Sequence, residues 1–507
     1  MINFLLYFFI IILIYSSLVA NISSTIIIPF SITNQNYELI SKEIDLMSYL
    51  HNLSLISDIS IGSPIQQIKM FIKFDKIGFS IPNNAYNHEN SETYKEIEGN
   101  QIIYEEIEYN GTFSSDDITM IDIDSFNLSD IFQNTDCDEY IFDEKYKKIF
   151  KNITFINTLS DEVEYKNYGY IGFKFPDKNK LKNYNFVSIL KNKNIIANYS
   201  WTLLFETKND NNIITIDNFN KIKGKLIIGD ELYNYYPNKF MNNISNSVNI
   251  VQRNGILNWN LDMTNIYLND LKLYISTQVE LKPDSALHFG SLAFKLNLDT
   301  KYFSPLFNQS ICQQKNMTLF PNIIYYICDN SKKGNDNISF DMKQLPNITF
   351  VHKTLKGNFT LTYKDLFIQD FYNKNIFYFL IVFDRNIIFN FTEDRLILGM
   401  KFFEKYHFEF DNDKKLIRYY DIIENINEDK NIDNHSSNDK NEKDYLILIY
   451  IGLIILFGAV LFILGMLFQK KIIKIPRKAR ANELDEDFEY KAKNEEKNES
   501  IGLGINE

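Results

Sequence analysis

The chain has 507 residues, of which 45% are hydrophobic and 15% aromatic, so it can bury one large core or two medium ones and is not a disordered protein. Its formal net charge of −12 argues against a nucleic-acid partner, because phosphate binding needs a concentrated basic surface. The six histidines show no His-x-x-x-His or cysteine spacing suited to a metal, and no Gly-rich phosphate loop is present, so we expect no cofactor.

The N-terminal apolar segment predicts a cleavable signal peptide over residues 1–20. The run from Phe4 to Tyr15 is too short to cross a bilayer comfortably, and the small residues after it end at Ala20. No Lys or Arg precedes this run, so an uncleaved anchor is the alternative.

From Leu53 to Tyr420 the sequence predicts an all-β fold. Short runs with period-two alternation are separated by clusters of Asn, Asp, Gly and Ser, and examples are Ile68 to Phe74 and Phe408 to Tyr420. One stretch, Asn185 to Lys193, has helical spacing that places Phe186, Ile189 and Leu190 on one face.

The C-terminal part predicts a single-pass type I membrane protein. Residues 421–443 are polar and acidic, which is typical of a flexible stalk. The run 445–468 has no charged residue and is followed by Lys470 and Lys471, so it is a predicted transmembrane helix with a cytosolic tail at 469–507. The N-terminal domain is then lumenal or extracellular, in the secretory pathway or at the plasma membrane.

This topology places the N-terminal domain in an oxidising compartment. About a dozen Asn-x-Ser/Thr sites predict a glycoprotein. Of the three cysteines, Cys312 and Cys328 are the plausible disulfide, closing a short loop. Cys137 is then left over, as a buried free thiol or as an intermolecular link.

Five segments, in order along the chain, resemble motifs of one protein family. They are Ile61 to Gln66, Gly169 to Pro176, Trp259 to Leu261, Leu345 to Phe350, and Leu396 to Asp411. The first is similar to Ile-Gly-Thr-Pro-Pro-Gln, the second to Gly-Ile-Leu-Gly-Leu-Gly-Phe-Pro and the fourth to Leu-Pro-Asp-Ile-Thr-Phe, all of pepsin-like eukaryotic aspartic proteases. The resemblance covers nearly the whole N-terminal domain.

The resemblance implies a bilobal pepsin-like fold, with an N-terminal β lobe at 45–205 and a C-terminal β lobe at 206–420 around a deep cleft. Each lobe of this family contributes one Asp from an Asp-Thr/Ser-Gly turn. The two carboxylates share one proton, so that one activates water while the other protonates the substrate carbonyl.

Both catalytic aspartates are missing from the ungapped register. Lys73 and Lys282 occupy the two catalytic positions, so each lobe has Lys-x-Asp where Asp-Thr/Ser-Gly is expected. The alternative register shifts each lobe by two residues and makes Asp75 and Asp284 the catalytic pair, without the glycine of either turn. A further interpretation is that both lysines lie on solvent-facing turns, paired to Asp75 or Asp284.

The flap hairpin is altered as well. By the resemblance, the flap tyrosine falls on Tyr104, but Glu105-Glu106-Ile107 replace the Gly-Thr-Gly of the tip. Because a tight hairpin favours residues with positive φ at its tip, this sequence predicts a different loop.

Together these features predict a catalytically inactive, membrane-anchored family member that binds a peptide or protein ligand in its cleft. The alternative is an active aspartic endopeptidase that uses Asp75 and Asp284 in an acidic compartment. A third hypothesis, a glycoprotein receptor that signals through its tail, has no recognisable motif in the tail to support it.

Overall fold

The structure is a computed structural model that describes residues 25–34, 45–98, 101–104, 107–122, 147–158, 168–174, 185–206, 213–236, 239–241, 246–250, 252–253, 256–332, 341–355, 357–385 and 396–422. These residues belong to one unit, Leu18–Glu424. The predicted signal peptide, most of the predicted stalk, the predicted transmembrane helix, the tail and Cys137 lie outside them. Among the described helices, none is long and apolar enough to cross a membrane.

The described residues are mostly β, as the sequence predicts. The strands are β1 (Ile26–Asn34), β2 (Leu53–Ile61), β3 (Gln66–Lys73), β4 (Ile77–Pro82), β5 (Lys95–Glu98), β6 (Gln101–Tyr104), β7 (Ile107–Asp122), β8 (Lys147–Thr158), β9 (Gly169–Phe173), β10 (Ser200–Glu206), β11 (Ile214–Thr215), β12 (Lys223–Ile228), β13 (Ser247–Asn249), β14 (Gln252–Arg253), β15 (Ile256–Leu257), β16 (Asn260–Asp262), β17 (Asn265–Leu268), β18 (Leu271–Lys272), β19 (Gln278–Leu281), β20 (His288–Phe289), β21 (Cys312–Asn316), β22 (Ile323–Asp329), β23 (Ile348–Val351), β24 (Asn358–Leu361), β25 (Phe367–Gln369), β26 (Ile376–Phe379), β27 (Ile381–Asp384), β28 (Leu396–Leu398), β29 (His407–Asp411) and β30 (Leu416–Tyr420).

The helices are short. They are α1 (Leu46–His51), α2 (Phe186–Asn192), α3 (Ile216–Phe219), α4 (Leu232–Tyr235), α5 (Leu292–Leu298), α6 (Ser304–Asn308), α7 (Tyr363–Leu366) and α8 (Met400–Lys405), with 3-10 turns at His88–Asn90 and Met342–Gln344 and a π-helical turn at Asp299–Phe303. The predicted helix is α2, which Asn185 caps by accepting from Val187 N–H at 3.0 Å. Phe186, Ile189 and Leu190 are buried, so that prediction is confirmed.

Most strands lie in two sheets. The first has the order β13-β30-β29-β10-β12-β1-β2-β3-β9-β4-β8-β7-β5, with β6 on β7, and the second has the order β11-β25-β26-β22-β27-β20-β28-β19-β16, with β21 on β22. Smaller sheets are β18-β17-β23-β24 and β14-β15. The first sheet continues past residue 206, the predicted start of the C-terminal lobe, because β10 pairs with β29.

The core follows from the alternation of side chains along the strands. In β3, Ile68, Met70 and Ile72 are buried, which agrees with the alternation predicted from Ile68 to Phe74, and β3 pairs antiparallel with β2. The predicted run from Phe408 to Tyr420 is a hairpin of β29 and β30 rather than one strand. Its turn has positive φ at Lys415, and Lys414 N–H donates to the Asp411 carboxylate at 2.9 Å.

A four-strand motif occurs twice. In the first sheet, β9 lies between β3 and β4, parallel to β3 and antiparallel to β4, and β8 pairs parallel with β4. In the second sheet, β28 lies between β19 and β20, parallel to β19 and antiparallel to β20, and β27 pairs parallel with β20. Both motifs therefore have the same strand order and directions.

The predicted disulfide is confirmed. Cys312 and Cys328 are bonded, and they face each other across the antiparallel pair β21 and β22. The bond therefore closes the hairpin whose tip is residues 317–322.

Candidate functional site

The two Lys-x-Asp turns leave equivalent strands of the repeated motif. Lys73 ends β3 and lies opposite Gly172 of β9. Lys282 directly follows β19, and its N–H donates at 2.9 Å to the carbonyl of Leu398, the residue before Gly399. Lys282 therefore corresponds to Lys73, and Gly399 to Gly172. This equivalence comes from strand register and not from the family resemblance.

Both turns pack closely on the glycine of the neighbouring strand. A Cβ at Gly172 would lie 2.3 Å from the carbonyl oxygen of Lys76, and a Cβ at Gly399 would lie 2.4 Å from that of Leu287. Any larger residue would push the backbone of the turn away. Glycine at these two positions thus lets each turn lie directly against its sheet.

The turns are joined by crossed contacts. Lys282 Nζ lies 3.0 Å from Asp75 Oδ2, and the backbone N–H of Phe74 donates to Asp284 Oδ2 at 3.3 Å. The residue equivalent to Phe74 in the second turn is Pro283, which has no N–H to donate. The Lys282 ammonium supplies the donor to Asp75 instead, so the contact is not symmetric.

The charges of these groups depend on one another. Burial raises the pKa of Asp284 to about 6, although the positive charge of Lys282 opposes this effect. Burial would also raise the pKa of Asp75, but the charge and hydrogen bond of Lys282, together with the charges of Lys73 and Lys76, outweigh burial and lower that pKa. Burial would lower the pKa of Lys282, but Asp284 and Asp75 raise it. At neutral pH the lysine is thus charged beside an ionised Asp75.

The structure brings the four predicted site residues into one region. Asp284 is buried, and its Oδ1 accepts no hydrogen bond from the described residues. No hydrogen bond within the described part of the chain joins Asp75 to Asp284. Lys73 Nζ donates to Ser54 Oγ at 2.8 Å and lies 5.4 Å from the ring of Phe71.

An aromatic cluster supports the first turn. The Phe74 ring lies 4.8 Å from Trp201 and 5.5 Å from Phe173, and Trp201 packs at 5.4 Å on Trp259. Trp259 Nε1 donates to the carbonyl of Phe173 at 3.1 Å. Trp201 and Trp259 are the two tryptophans of the chain, so its tryptophan fluorescence originates beneath the site.

The space beside the ion pair is small. A cavity of about 20 Å³ is lined by Asp75, Lys282, Phe74 and Trp259, among others. This volume holds a water molecule but not a side chain. No group of three or more His, Cys, Asp or Glu in the described residues is arranged to hold a metal ion.

The predicted flap tyrosine, Tyr104, ends β6 and pairs with Ile107 of β7. The replaced tip residues Glu105 and Glu106 lie outside the described ranges, so the predicted change of this loop stays a prediction.

Sequence reasoning missed two parts of the site. His51 at the end of α1 is largely buried, and burial, followed by the charges of Lys282 and Lys73, lowers its pKa to about 4. The N-cap residue Asp45 before α1 was a recognisable signal for that helix. Trp259 belongs to a segment that resembles a family motif, but nothing in the sequence indicates that it packs beneath the turns.

No family model and no curated protein matches the chain. Among solved structures, the crystal structure of basic 7S globulin from soybean matches 78% of this chain and 96% of that chain, with 10% sequence identity and a TM-score of 0.49. A likeness of this degree supports neither a family assignment nor a function.

Proposed function

We propose that this chain is a membrane-anchored, pepsin-like protein without peptidase activity, which binds a peptide or protein segment in a cleft between two β lobes. Three features support the assignment. Family-like motifs follow one another in the family order, the described residues are mostly β, and the repeated motif brings two turns of the same kind into contact.

The Lys282–Asp75 ion pair is the main observation that supports the proposal of inactivity. Aspartic proteolysis requires two carboxylates that share one proton across the site. Here an ammonium lies 3.0 Å from Asp75 and keeps that carboxylate ionised, while Asp284 accepts from the backbone of Phe74. A charged lysine at this position cannot act as a general base, because its ammonium group cannot accept a proton from the attacking water.

Peptide cleavage tests this proposal. We expect the purified full-length chain to leave a mixed peptide pool intact between about pH 3 and 7, where such carboxylate pairs work. A pepsin-like enzyme assayed in the same pool is the positive control. Cleavage that a transition-state-mimicking peptide blocks would contradict the proposal of inactivity.

Peptide binding is tested separately. Peptides selected from a random phage-displayed library on the wild-type chain should bind with a measurable change in tryptophan fluorescence, because both tryptophans lie beneath the turns. Lys73→Ala and Lys282→Ala should weaken binding, whereas Lys69→Ala, an exposed position on β3, should not. Failure to select any peptide would contradict the binding role.

The second candidate is an active endopeptidase that uses Asp75 and Asp284. One observation favours it: the two carboxylates lie at equivalent positions, and the pKa of Asp75 is lowered while that of Asp284 is raised to about 6. Opposite shifts of this kind often distinguish a base from an acid. Activity that Asp75→Asn and Asp284→Asn both abolish would establish this candidate.

The membrane topology is part of the proposal. It depends on the apolar segments at 1–20 and 445–468 and on the lysines after the second. Protease protection of membrane vesicles, with tags at both ends of the chain, tests it. A lumenal C-terminal tag would contradict the type I assignment, and endoglycosidase treatment should shift the mass of a glycosylated chain.

A further inference from the structure

Lysines are concentrated around the two turns of the site. Lys73 and Lys76 lie on either side of Asp75 in the first turn. Lys282 of the second turn reaches the same place, with its Nζ 3.0 Å from Asp75 Oδ2. Lys174 directly follows β9, and its N–H donates to the carbonyl of Lys76 at 3.0 Å. The four lysines therefore belong to segments that contact one another.

The carboxylates beside these lysines are fewer, and one of them is buried. The two turns and the residues that line the small cavity contribute three, those of Asp75, Glu280 and Asp284. Asp284 is only 5% exposed, and its Oδ2 accepts from the N–H of Phe74. The whole chain has 65 acidic residues against 53 Lys and Arg. The site thus has an excess of cations in an acidic chain, which favours an anionic ligand at this place.

The lysines are accessible from the surface of the site. The side chain of Lys282 is 28% exposed, and the other three lysines are half-buried. Lys73 Nζ donates to the hydroxyl of Ser54 at 2.8 Å, a contact that orients the ammonium and does not cancel its charge. The cavity beside the ion pair holds a water molecule but not a side chain, so a ligand contacts these lysines from outside it.

Asp75 occupies Lys282 in the described conformation. Its carboxylate lies 3.0 Å from the ammonium, yet 51% of its side chain is exposed. An ion pair so exposed to solvent is weaker than a buried one, because water competes for both charges. Asp75 also remains hydrated when a carboxylate of a ligand replaces it on Lys282. It is therefore a competitor that the chain itself supplies.

We propose that this site binds an acidic peptide segment, rich in Asp or Glu, whose carboxylates contact Lys73 and Lys282. The inference rests on the proposed peptide-binding function, because it names the chemistry of the ligand. The two lysines are equivalent residues of the two turns, so they act on the ligand from both halves of the site. The net charge of the whole chain repels such a peptide, so its binding reports the site and not a general attraction.

Three peptides of one length test the charge preference. Hexaglutamate, hexaglutamine and hexalysine carry the same neutral fluorophore, and the anisotropy of its fluorescence measures binding to the full-length chain in neutral detergent at pH 7. Hexaglutamate should bind about fivefold more tightly than hexaglutamine, the upper value for one exposed ion pair. Hexalysine should bind no better than hexaglutamine. Added salt should weaken hexaglutamate binding, because the contacts are at the surface.

The two members of the ion pair should act in opposite directions. Lys282→Gln and Lys73→Gln should each weaken hexaglutamate binding about twofold to fivefold. Asp75→Asn leaves Lys282 charged and removes its competitor, so it should strengthen binding by a similar factor. Damage to the fold weakens binding in every variant. A gain in Asp75→Asn therefore does not come from misfolding.

Asp58 and Lys69 provide matched controls. Both are exposed, and they lie opposite each other in the pairing of β2 with β3. Lys69 is four residues before Lys73, about 13 Å along an extended strand, and the screening length is about 8 Å at about 0.15 M salt. Lys69→Gln and Asp58→Asn change the net charge as the site variants do. They should leave hexaglutamate binding unchanged.

The outcomes separate the ligand class from the binding function. Equal binding of hexaglutamate and hexaglutamine, by a chain that binds a peptide selected from the random library, would overturn the acidic preference and leave the binding function in place. Equal effects of Lys69→Gln and Lys282→Gln, or weaker binding in Asp75→Asn, would likewise overturn the assignment to this site. A chain that binds no peptide of any charge would overturn both proposals.

Discussion

Lys282 Nζ lies 3.0 Å from Asp75 Oδ2, although the two residues are 207 positions apart in the sequence. The contact joins the two turns that leave equivalent strands of a repeated motif. It also compensates for Pro283, which cannot provide the backbone donor that Phe74 provides in the other turn. The ion pair is therefore a structural link between the two halves of the site, and its removal has measurable consequences.

Removal of the ammonium should destabilise the site. In Lys282→Ala, Asp75 and Asp284 lose their main opposite charge, so we expect the free energy of unfolding to fall by about 1–2 kcal/mol, between the values for exposed and buried pairs. Urea unfolding at pH 7 measures this change. Lys69→Ala should change the free energy by less than about 0.5 kcal/mol. Equal effects of the two substitutions would show that the ion pair contributes nothing.

Phe74 should be important for stability. Its buried ring packs on Trp201 and Phe173, so Phe74→Ala should cost about 3–5 kcal/mol and shift the tryptophan emission. Urea unfolding followed by tryptophan fluorescence reports both effects. Phe371→Ala, at a position where the ring is 52% exposed, should have little effect. An unchanged emission spectrum in Phe74→Ala would contradict the packing beneath the turns.

Glu409 should make the fold more stable in mild acid. It accepts from Arg418 at 2.8 Å, and burial, against the charge of Arg418, raises its pKa from 4.5 to about 7. Because the folded pKa is the higher one, the proton stabilises the fold below about pH 4.5, and this contribution is lost as the pH rises through about 7.

The matched variant is Glu409→Gln, which has no proton to lose. The free energy of unfolding of the wild type, relative to this variant, should fall by up to about 3 kcal/mol between pH 5 and 8. Denaturant unfolding at several pH values gives the difference. A difference that stays constant with pH would mean that Glu409 is ionised throughout.

His288 should have the opposite pH dependence. Its Nδ1 accepts from Gly399 N–H at 2.9 Å, so this nitrogen carries no proton, and burial lowers its pKa from 6.5 to about 4. The lower folded pKa means that stability is fully present above about pH 6.5 and is lost as the pH falls through about 4.

His288→Gln tests this group. The variant should be less stable than wild type at pH 7 by about 1–3 kcal/mol, because Gly399 N–H loses a well-placed acceptor in a buried position. The deficit should shrink as the pH falls from 7 to 4, since glutamine has no proton to gain. Thermal unfolding across this range measures it, and a deficit that grows in acid would contradict the assignment.

The sequence alone determined the β class, helix α2, the buried face of β3 and the pair Cys312–Cys328. The β class, α2 and the buried face of β3 depend on residues that are near in sequence, and the disulfide depends on a choice among few cysteine pairings. Alternation of side chains reports which face of a strand is buried, and three cysteines allow only three pairings. The run from Phe408 to Tyr420, predicted as one strand, is two strands because a polar turn with positive φ at Lys415 interrupts it.

Only the tertiary structure decided how the site residues pair. The sequence identified Lys73, Asp75, Lys282 and Asp284 and left several pairings open. The number of residues between two turns does not give the distance between them in the folded chain. Strand register makes the turns equivalent, and the missing N–H of Pro283 is offset by the Lys282 ammonium. The contact of Asp45 with Thr318 was likewise out of reach, because its donor is a backbone N–H, which every residue except proline carries and which leaves no signal in a sequence.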